Sequence, residues 1–297
     1  MTNKDVYSAA EIFLKALDAA PTGTGAILKD VPSKNWMETS VLRAISKLDA
    51  ASYHYSNVAR LVQSAHEKSE TLAGGLKHPT NTTFQATASA SGTFFVQEIA
   101  FEIDALLAAA RASIDFGGNV VARHLVGMDG RTGIKPVLKS IKKAPNSFFS
   151  FLLGWEAWIE SLKKYRDECV HYRALRTQTG YEAVSRNGVL ATAILPFVVP
   201  QEIGHDRPDT RVARSGMDRP DDEDHLVEGL ERSESCGWIS IDGGPKRVTD
   251  FSISYSPASG YVPVEDFCAQ HLEKLREFLV RIFKETPKAK FEFQKHA

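Results

Sequence analysis

Between Glu38 and Glu67 the apolar residues Val41, Leu42, Ile45, Leu48, Tyr55, Val58, Leu61 and Val62 recur at three- and four-residue steps. That period stacks side chains along one face of an α-helix, and a stripe so placed must be covered by another element. The same period returns in Val6–Leu17, and in Phe94–Phe116 through Phe95, Ile99, Ile103, Leu106, Leu107, Ala110 and Ile114. It returns again in Phe148–Arg176 through Phe149, Leu152, Leu153, Trp155, Trp158, Ile159, Leu162, Val170 and Leu175, and in Val264–Phe283 through Phe267, Leu272, Leu275, Phe278, Leu279 and Ile282. Several such stripes in one chain cover each other most simply as a helical bundle. Pro21-Thr-Gly-Thr-Gly25 and Gly74-Gly75 punctuate the first two helices. Gly117-Gly118 reads as the stop of the third, and the segment with Gly127, Gly130, Gly133 and Pro136 reads as a loop. Thr80–Thr93, rich in Thr, Ser and Ala, fits either a loop or a polar lead-in to the helix that follows.

The pattern changes after residue 187. Val189–Val199 is rich in β-branched residues, and Trp238–Ile241 and Val248–Tyr255 alternate apolar with polar residues around Asp242-Gly-Gly-Pro245. These features predict a small antiparallel hairpin or sheet. Residues 201–235 carry 11 acidic and 5 basic side chains with few apolar ones, including Asp221-Asp-Glu-Asp224, and read as a mobile acidic loop. The expected architecture is therefore mainly α, a helical bundle with an inserted small antiparallel β-hairpin or sheet. Its parts are an N-terminal helix and loop (1–37), the bundle (38–187), the β insertion (188–262) and a helix completing the bundle with a basic tail (263–297).

Charge and cysteine usage narrow the chemistry. The 36 Lys and Arg nearly cancel the 37 Asp and Glu, so any attraction to nucleic acid must come from a local patch. Three widely spaced cysteines, Cys169, Cys236 and Cys268, form no Cys-x-x-Cys pair. That argues against a disulfide framework or a structural zinc site, and suits a reducing, cytoplasmic setting. No window approaches the apolar length of a spanning helix, so no membrane association is expected, and no motif calls for a cofactor.

Residue types suited to acid–base chemistry concentrate in Lys163-Lys164-Tyr165-Arg166-Asp167-Glu168-Cys169-Val170-His171-Tyr172-Arg173. Cleavage of RNA without a metal needs a base for the 2′-hydroxyl proton, a donor for the leaving oxygen and positive charge over the phosphorane. Imidazole and guanidinium groups supply these. Asp167 lies four residues before His171 on the same helix face, placed to orient the ring or stabilise imidazolium. Arg166 lies about 140° round the helix from His171. A single helix therefore does not close the site, whereas a two-fold dimer would bring paired Arg and His groups together.

The string Arg166-Asp-Glu-Cys-Val-His171, with a polar residue after the arginine and a place on a late helix, resembles the Arg-x(4–6)-His motif of the HEPN superfamily, small helical bundles of which many are RNases in toxin, antiphage and CRISPR-linked systems. The resemblance covers residues 38–176 and the last helix. It implies Arg166 and His171 as the catalytic pair and Asp167 as a polar helper. It also implies RNA as substrate, a homodimer cleft as the site, and a cognate antitoxin or regulatory protein as a further partner. Lys163, Lys164 and Arg173 are then the expected substrate-binding cations. Where toxins of that group often carry Tyr two residues after the His, this chain has Arg173, with Tyr172 adjacent. Two other strings, Arg60–His66 and Arg219–His225, share the spacing, but Leu61 is apolar and Pro220 follows Arg219.

Against this reading stands a plainer one, in which Arg166, Asp167, Glu168 and His171 form a solvated, ion-paired helix face in a non-catalytic binding module. A third reading is a carboxylate metal site from Glu98, Asp104 and Glu168. The tail, with Lys284, Lys288, Lys290, Lys295, Phe291 and Phe293, has the mix that can hold single-stranded RNA, but reads first as a frayed terminus.

Overall fold

The computed structural model describes residues 1–20, 31–75, 87–122, 133–143, 148–171, 178–186, 189–201, 229–239 and 247–293. Over these the chain is mainly α, with α1 (Asn3–Asp18), α2 (Val31–Gly74), α3 (Gln97–Ala122), α4 (Ile134–Lys143), a 3-10 helix (Phe148–Trp155), α5 (Glu156–His171) and α6 (Val264–Phe293). Its strands are β1 (Thr87–Phe95), β2 (Gln178–Arg186), β3 (Val189–Leu195), β4 (Val198–Pro200), β5 (Leu230–Ile239), β6 (Arg247–Pro257) and β7 (Tyr261–Pro263). No helix among the described residues is long and apolar enough to cross a membrane. The chain divides into two compact units: Met1–Ser56 with Ile103–His171 and Cys268–Ala297, and Asn57–Glu102 with Tyr172–Phe267.

The first unit is helical. α1 starts at Thr2, whose backbone N–H donates to the Asp5 carboxylate at 2.7 Å, satisfying a donor that a helix N-terminus leaves open. α1 buries Val6, Phe13 and Leu17, and α2 buries Met37, Val41, Ala44 and Leu48, whereas Leu42 is half exposed and stands outside the stripe. Ser113 of α3 donates its hydroxyl to the Ala44 carbonyl of α2 at 2.7 Å. Phe13 of α1 meets Phe283 of α6.

α3 does not stop at Gly117-Gly118 but runs to Ala122. The two glycines are points of close approach instead. A Cβ at Gly118 would stand 2.7 Å from the backbone of Ile134, and one at Gly117 would meet Ile282, Leu279 and Phe278 of α6 at 3.2–3.4 Å. The space that glycine leaves lets the start of α4 sit against α3. α3 also caps α4: Asp115 accepts the Ile134 N–H at 3.1 Å and Asn119 accepts the Gly133 N–H at 2.9 Å. Gly133 adopts φ +67°, so α4 enters through a left-handed turn. Thus part of the segment read as a loop is a helix. Pro136 sits in its first turn, where the missing N–H costs nothing, and Ile134, Val137, Leu138 and Ile141 are buried at helical spacing.

The second unit carries the sheets. β1, β2 and β3 pair antiparallel in that order, with Thr87 opposite Arg186 and Arg186 opposite Val189. The Thr/Ser/Ala stretch before α3 therefore ends as a strand, and the sheet draws on residues on both sides of 188. β5 and β6 form an antiparallel hairpin, as the alternation predicts, with Cys236 opposite Phe251 and Arg232 opposite Tyr255. Leu230–Ser235, read as part of the acidic loop, belong to β5; residues 202–228 lie outside those described. Val184, Ala191, Ala193, Phe251 and Ile253 make a small core shared by the two sheets.

Beside this core runs a line of alternating charge. Glu182, on the face of β2 that also presents Val184, is buried and accepts from Arg232 Nε at 2.8 Å and from the Tyr255 hydroxyl at 2.6 Å. Arg232 also donates to Glu234 at 2.9 Å, and Arg186 pairs with Glu234 at 2.6 Å while lying over the Phe251 ring. Burial alone would push the Glu182 carboxyl up, but the two hydrogen bonds outweigh it and hold it below its ordinary range. Two carboxylates and two guanidiniums so interleaved join β2 to the β5–β6 hairpin with no net charge.

Candidate functional site on the Arg166 helix

α5 is positioned by the stripe Trp158, Ile159, Leu162 and Tyr165, all buried. Trp158 and Trp155 both meet Phe278 of α6 edge-on or tilted, at 6.1 and 5.8 Å between ring centroids. Trp158 also donates its indole N–H to Nδ1 of His271 on α6 at 3.1 Å, and the Tyr165 ring stands edge-on to the same imidazole. Trp158 is thus a core residue, and Trp155 packs half-buried beside it. His271 accepts at Nδ1, so its ring is neutral, and burial pushes its pKa down to about 4.

With the buried stripe fixed, helix geometry assigns the remaining positions. Position 167 lies about 140° from Leu162, on the side away from the stripe. Lys163 is half-buried and Lys164 exposed. Arg166 lies about 40° from Leu162, between it and Ile159 round the helix, one turn further along towards the helix end.

Of the expected site residues, α5 brings Arg166 and Asp167 together. Arg166 donates from its terminal nitrogen to Asp167 Oδ1 at 3.2 Å, with side chains 39% and 34% exposed. The guanidinium keeps further donors able to take an oxyanion. The backbone of residues 168–171 completes α5, while the side chains of Glu168, Cys169, Val170 and His171, and all of Arg173, lie outside the described residues. Among the described residues no group of three or more His, Cys, Asp or Glu is placed to hold a metal ion.

The other two Arg/His strings fare differently. His66 is partly buried in α2 and stacks on Phe197 at 5.8 Å, with burial pushing its pKa down, so it is a packing residue of the second unit. The Arg219–His225 string lies outside the described residues.

Three features escaped the linear reading. The Trp158–His271 bond joins residues 113 positions apart, and Glu182 meets Tyr255 across 73, distances at which no local pattern operates. The lysines of α4 did have a local signal, since Lys135, Lys139, Lys142 and Lys143 repeat at helical spacing. Comparison with known proteins finds no matching family model, no matching curated protein and no matching solved structure.

Proposed function

We propose that this chain is a metal-independent endoribonuclease of HEPN type, cytoplasmic and acting in bacterial toxin or antiphage defence. The observation that carries the reading is the string Arg166-Asp-Glu-Cys-Val-His171 at the end of one helix, with the Arg166 guanidinium half exposed beside Asp167. In this reading His171 takes the 2′-hydroxyl proton, and the 2′-oxygen attacks the adjacent phosphorus. Arg166 stabilises the charge on the phosphorane, and the 5′-oxygen leaves with a proton from a second imidazole. The products are a 2′,3′-cyclic phosphate and a 5′-hydroxyl. Because the string carries a single histidine, the second imidazole comes from another copy of the chain, in a bundle-to-bundle dimer cleft. Asp167 orients the ring, Lys163, Lys164 and Arg173 hold flanking phosphates, and a cognate antitoxin or regulatory protein covers the cleft.

The test is incubation of the wild type, His171→Ala and Arg166→Ala with single-stranded RNA in EDTA, with end-group analysis of the fragments. Wild type leaves cyclic phosphate ends, and each variant is slower by about 10²–10⁴-fold. Equal cleavage by wild type and His171→Ala, or none by either, removes the reading. The Arg166–Asp167 hydrogen bond also suits a second reading, a non-catalytic module for a protein or nucleic-acid partner in which the arginine is committed to its neighbour.

A further inference from the structure

α4 is a helix of two faces with an unusual division of labour. Ile134, Val137, Leu138 and Ile141 are buried, and Lys135, Lys139, Lys142 and Lys143 are exposed on the opposite side. At ~100° per residue the four lysines fall within about 100° of arc, and from Lys135 to Lys143 they extend about 12 Å along the axis. Lys142 pairs with Glu156 at 2.6 Å, whereas Lys135, Lys139 and Lys143 have no ion pair among the described residues. The sequence around the helix is also rich in cations: from Phe116 to Trp155 the only acid is Asp129, against Arg123, Arg131 and the four lysines, and of the two acids that flank this stretch Asp115 caps α4 and Glu156 pairs with Lys142. A chain with formal net charge −1 thus concentrates unneutralised cations on one helix face.

Helix-surface lysines are ordinarily alternated with acids, which gain i,i+4 pairs and lower self-repulsion. Here like charges sit at i,i+4 and i,i+7, an arrangement that disfavours the isolated helix and is relieved by a polyanion. The apolar residues of α4 are spent in the core, so the helix has no free apolar face to insert into a bilayer. In the adjoining 3-10 helix Phe148 and Phe151 are half-buried, and the Phe151 ring already carries Arg281 of α6 at 5.2 Å, itself paired with Glu285, so among the described residues Lys135, Lys139 and Lys143 are the free cations here. A row of unpaired cations is what tracks a single-stranded phosphate backbone.

We propose that the lysine face of α4 is a binding surface for the phosphate backbone of single-stranded RNA, with Lys135, Lys139 and Lys143 as its principal contacts. The proposal deepens the ribonuclease reading by adding a binding surface outside the Arg166–His171 string, and it stands or falls by binding, not cleavage.

The experiment measures anisotropy of a labelled single-stranded RNA on full-length His171→Ala across a salt series, against the same chain carrying K135A/K139A/K143A. The triple substitution is expected to weaken binding about tenfold at low salt and to make the slope of log K against log salt shallower by about 2, since each single-strand phosphate contact contributes ~0.7. The K135R/K139R/K143R chain retains charge and keeps both affinity and slope, which separates loss of cations from loss of fold. Unchanged affinity and slope in the alanine chain overturn the proposal, as does an absence of RNA binding by the parent. Binding to phosphatidylserine vesicles that the alanine substitutions abolish, with RNA binding intact, overturns it in favour of a membrane surface. RNA binding that depends on these lysines in a chain whose wild type does not cleave leaves the proposal standing and removes the ribonuclease reading alone.

Discussion

An imidazole that accepts an indole N–H inside an apolar interior is useful to the fold in one protonation state. His271 does so through Nδ1, and its pKa of about 4 lies below the ordinary 6.5 because burial penalises the charged ring. The unfolded chain therefore takes up this proton at a higher pH than the folded chain. The contribution is fully present above pH 6.5 and is lost as pH falls from there towards 4. The difference amounts to on the order of 3 kcal/mol. His271→Gln offers Trp158 a non-titrating acceptor. Denaturant unfolding at pH 7.5 and pH 4 is expected to show wild type losing about that much more stability than the glutamine variant. Parallel pH profiles for the two chains would show that the ring is not held neutral by burial. The histidine's role was not legible locally, since its partner Trp158 lies on another helix. Arg166, by contrast, was singled out from its own neighbours, and the interaction that the structure gives it is with the adjacent residue, Asp167.

At the scale of elements, stripes were legible and their ends were not. The apolar residues of α1, α2, α3, α5 and α6 repeat at the helical period, and that period is a property of the local chain. Gly117-Gly118 looked like a stop because glycine costs helix stability, yet tertiary contact reverses its meaning: α4 enters where Gly118 has no side chain. Gly118→Ala is expected to destabilise the protein by about 2–4 kcal/mol, since its methyl would meet backbone that cannot rotate away. Gly154→Ala, with nothing within 4 Å of the added methyl, is expected to change stability by less than about 1 kcal/mol. Thermal unfolding of the two variants side by side checks this; equal melting temperatures would mean that α4 shifts freely. β1 was illegible for a related reason, because its small polar residues have no strong alternation and its pairing is with β2, far along the chain.

At the scale of the whole molecule, the proposed chemistry calls for two copies, because it uses two imidazoles and the string Arg166–His171 supplies one. Preincubating wild type with a tenfold excess of His171→Ala, long enough for subunits to exchange, is then expected to lower cleavage to roughly a tenth of that in an equal dilution with albumin. Activity unaffected by the inactive chain would place a complete site within one copy. The chain also divides into two units that interleave along the sequence. α2, α3 and α6 each contribute residues to both, and the sheet unit gathers segments from before α3 and after α5, so compact units do not follow stretches of sequence.

By itself the sequence determined the mainly helical content, the β5–β6 hairpin and the candidate string Arg166–His171, because each is written in spacings of a few residues that local backbone geometry reads directly. Only the tertiary structure decided that Gly118 is a contact and not a stop, that Trp158 is answered by His271, and that Glu182 is answered by Arg232 and Tyr255. Those partners are chosen by burial. A polar group removed from water must find its complement wherever the fold has brought one, however distant along the chain.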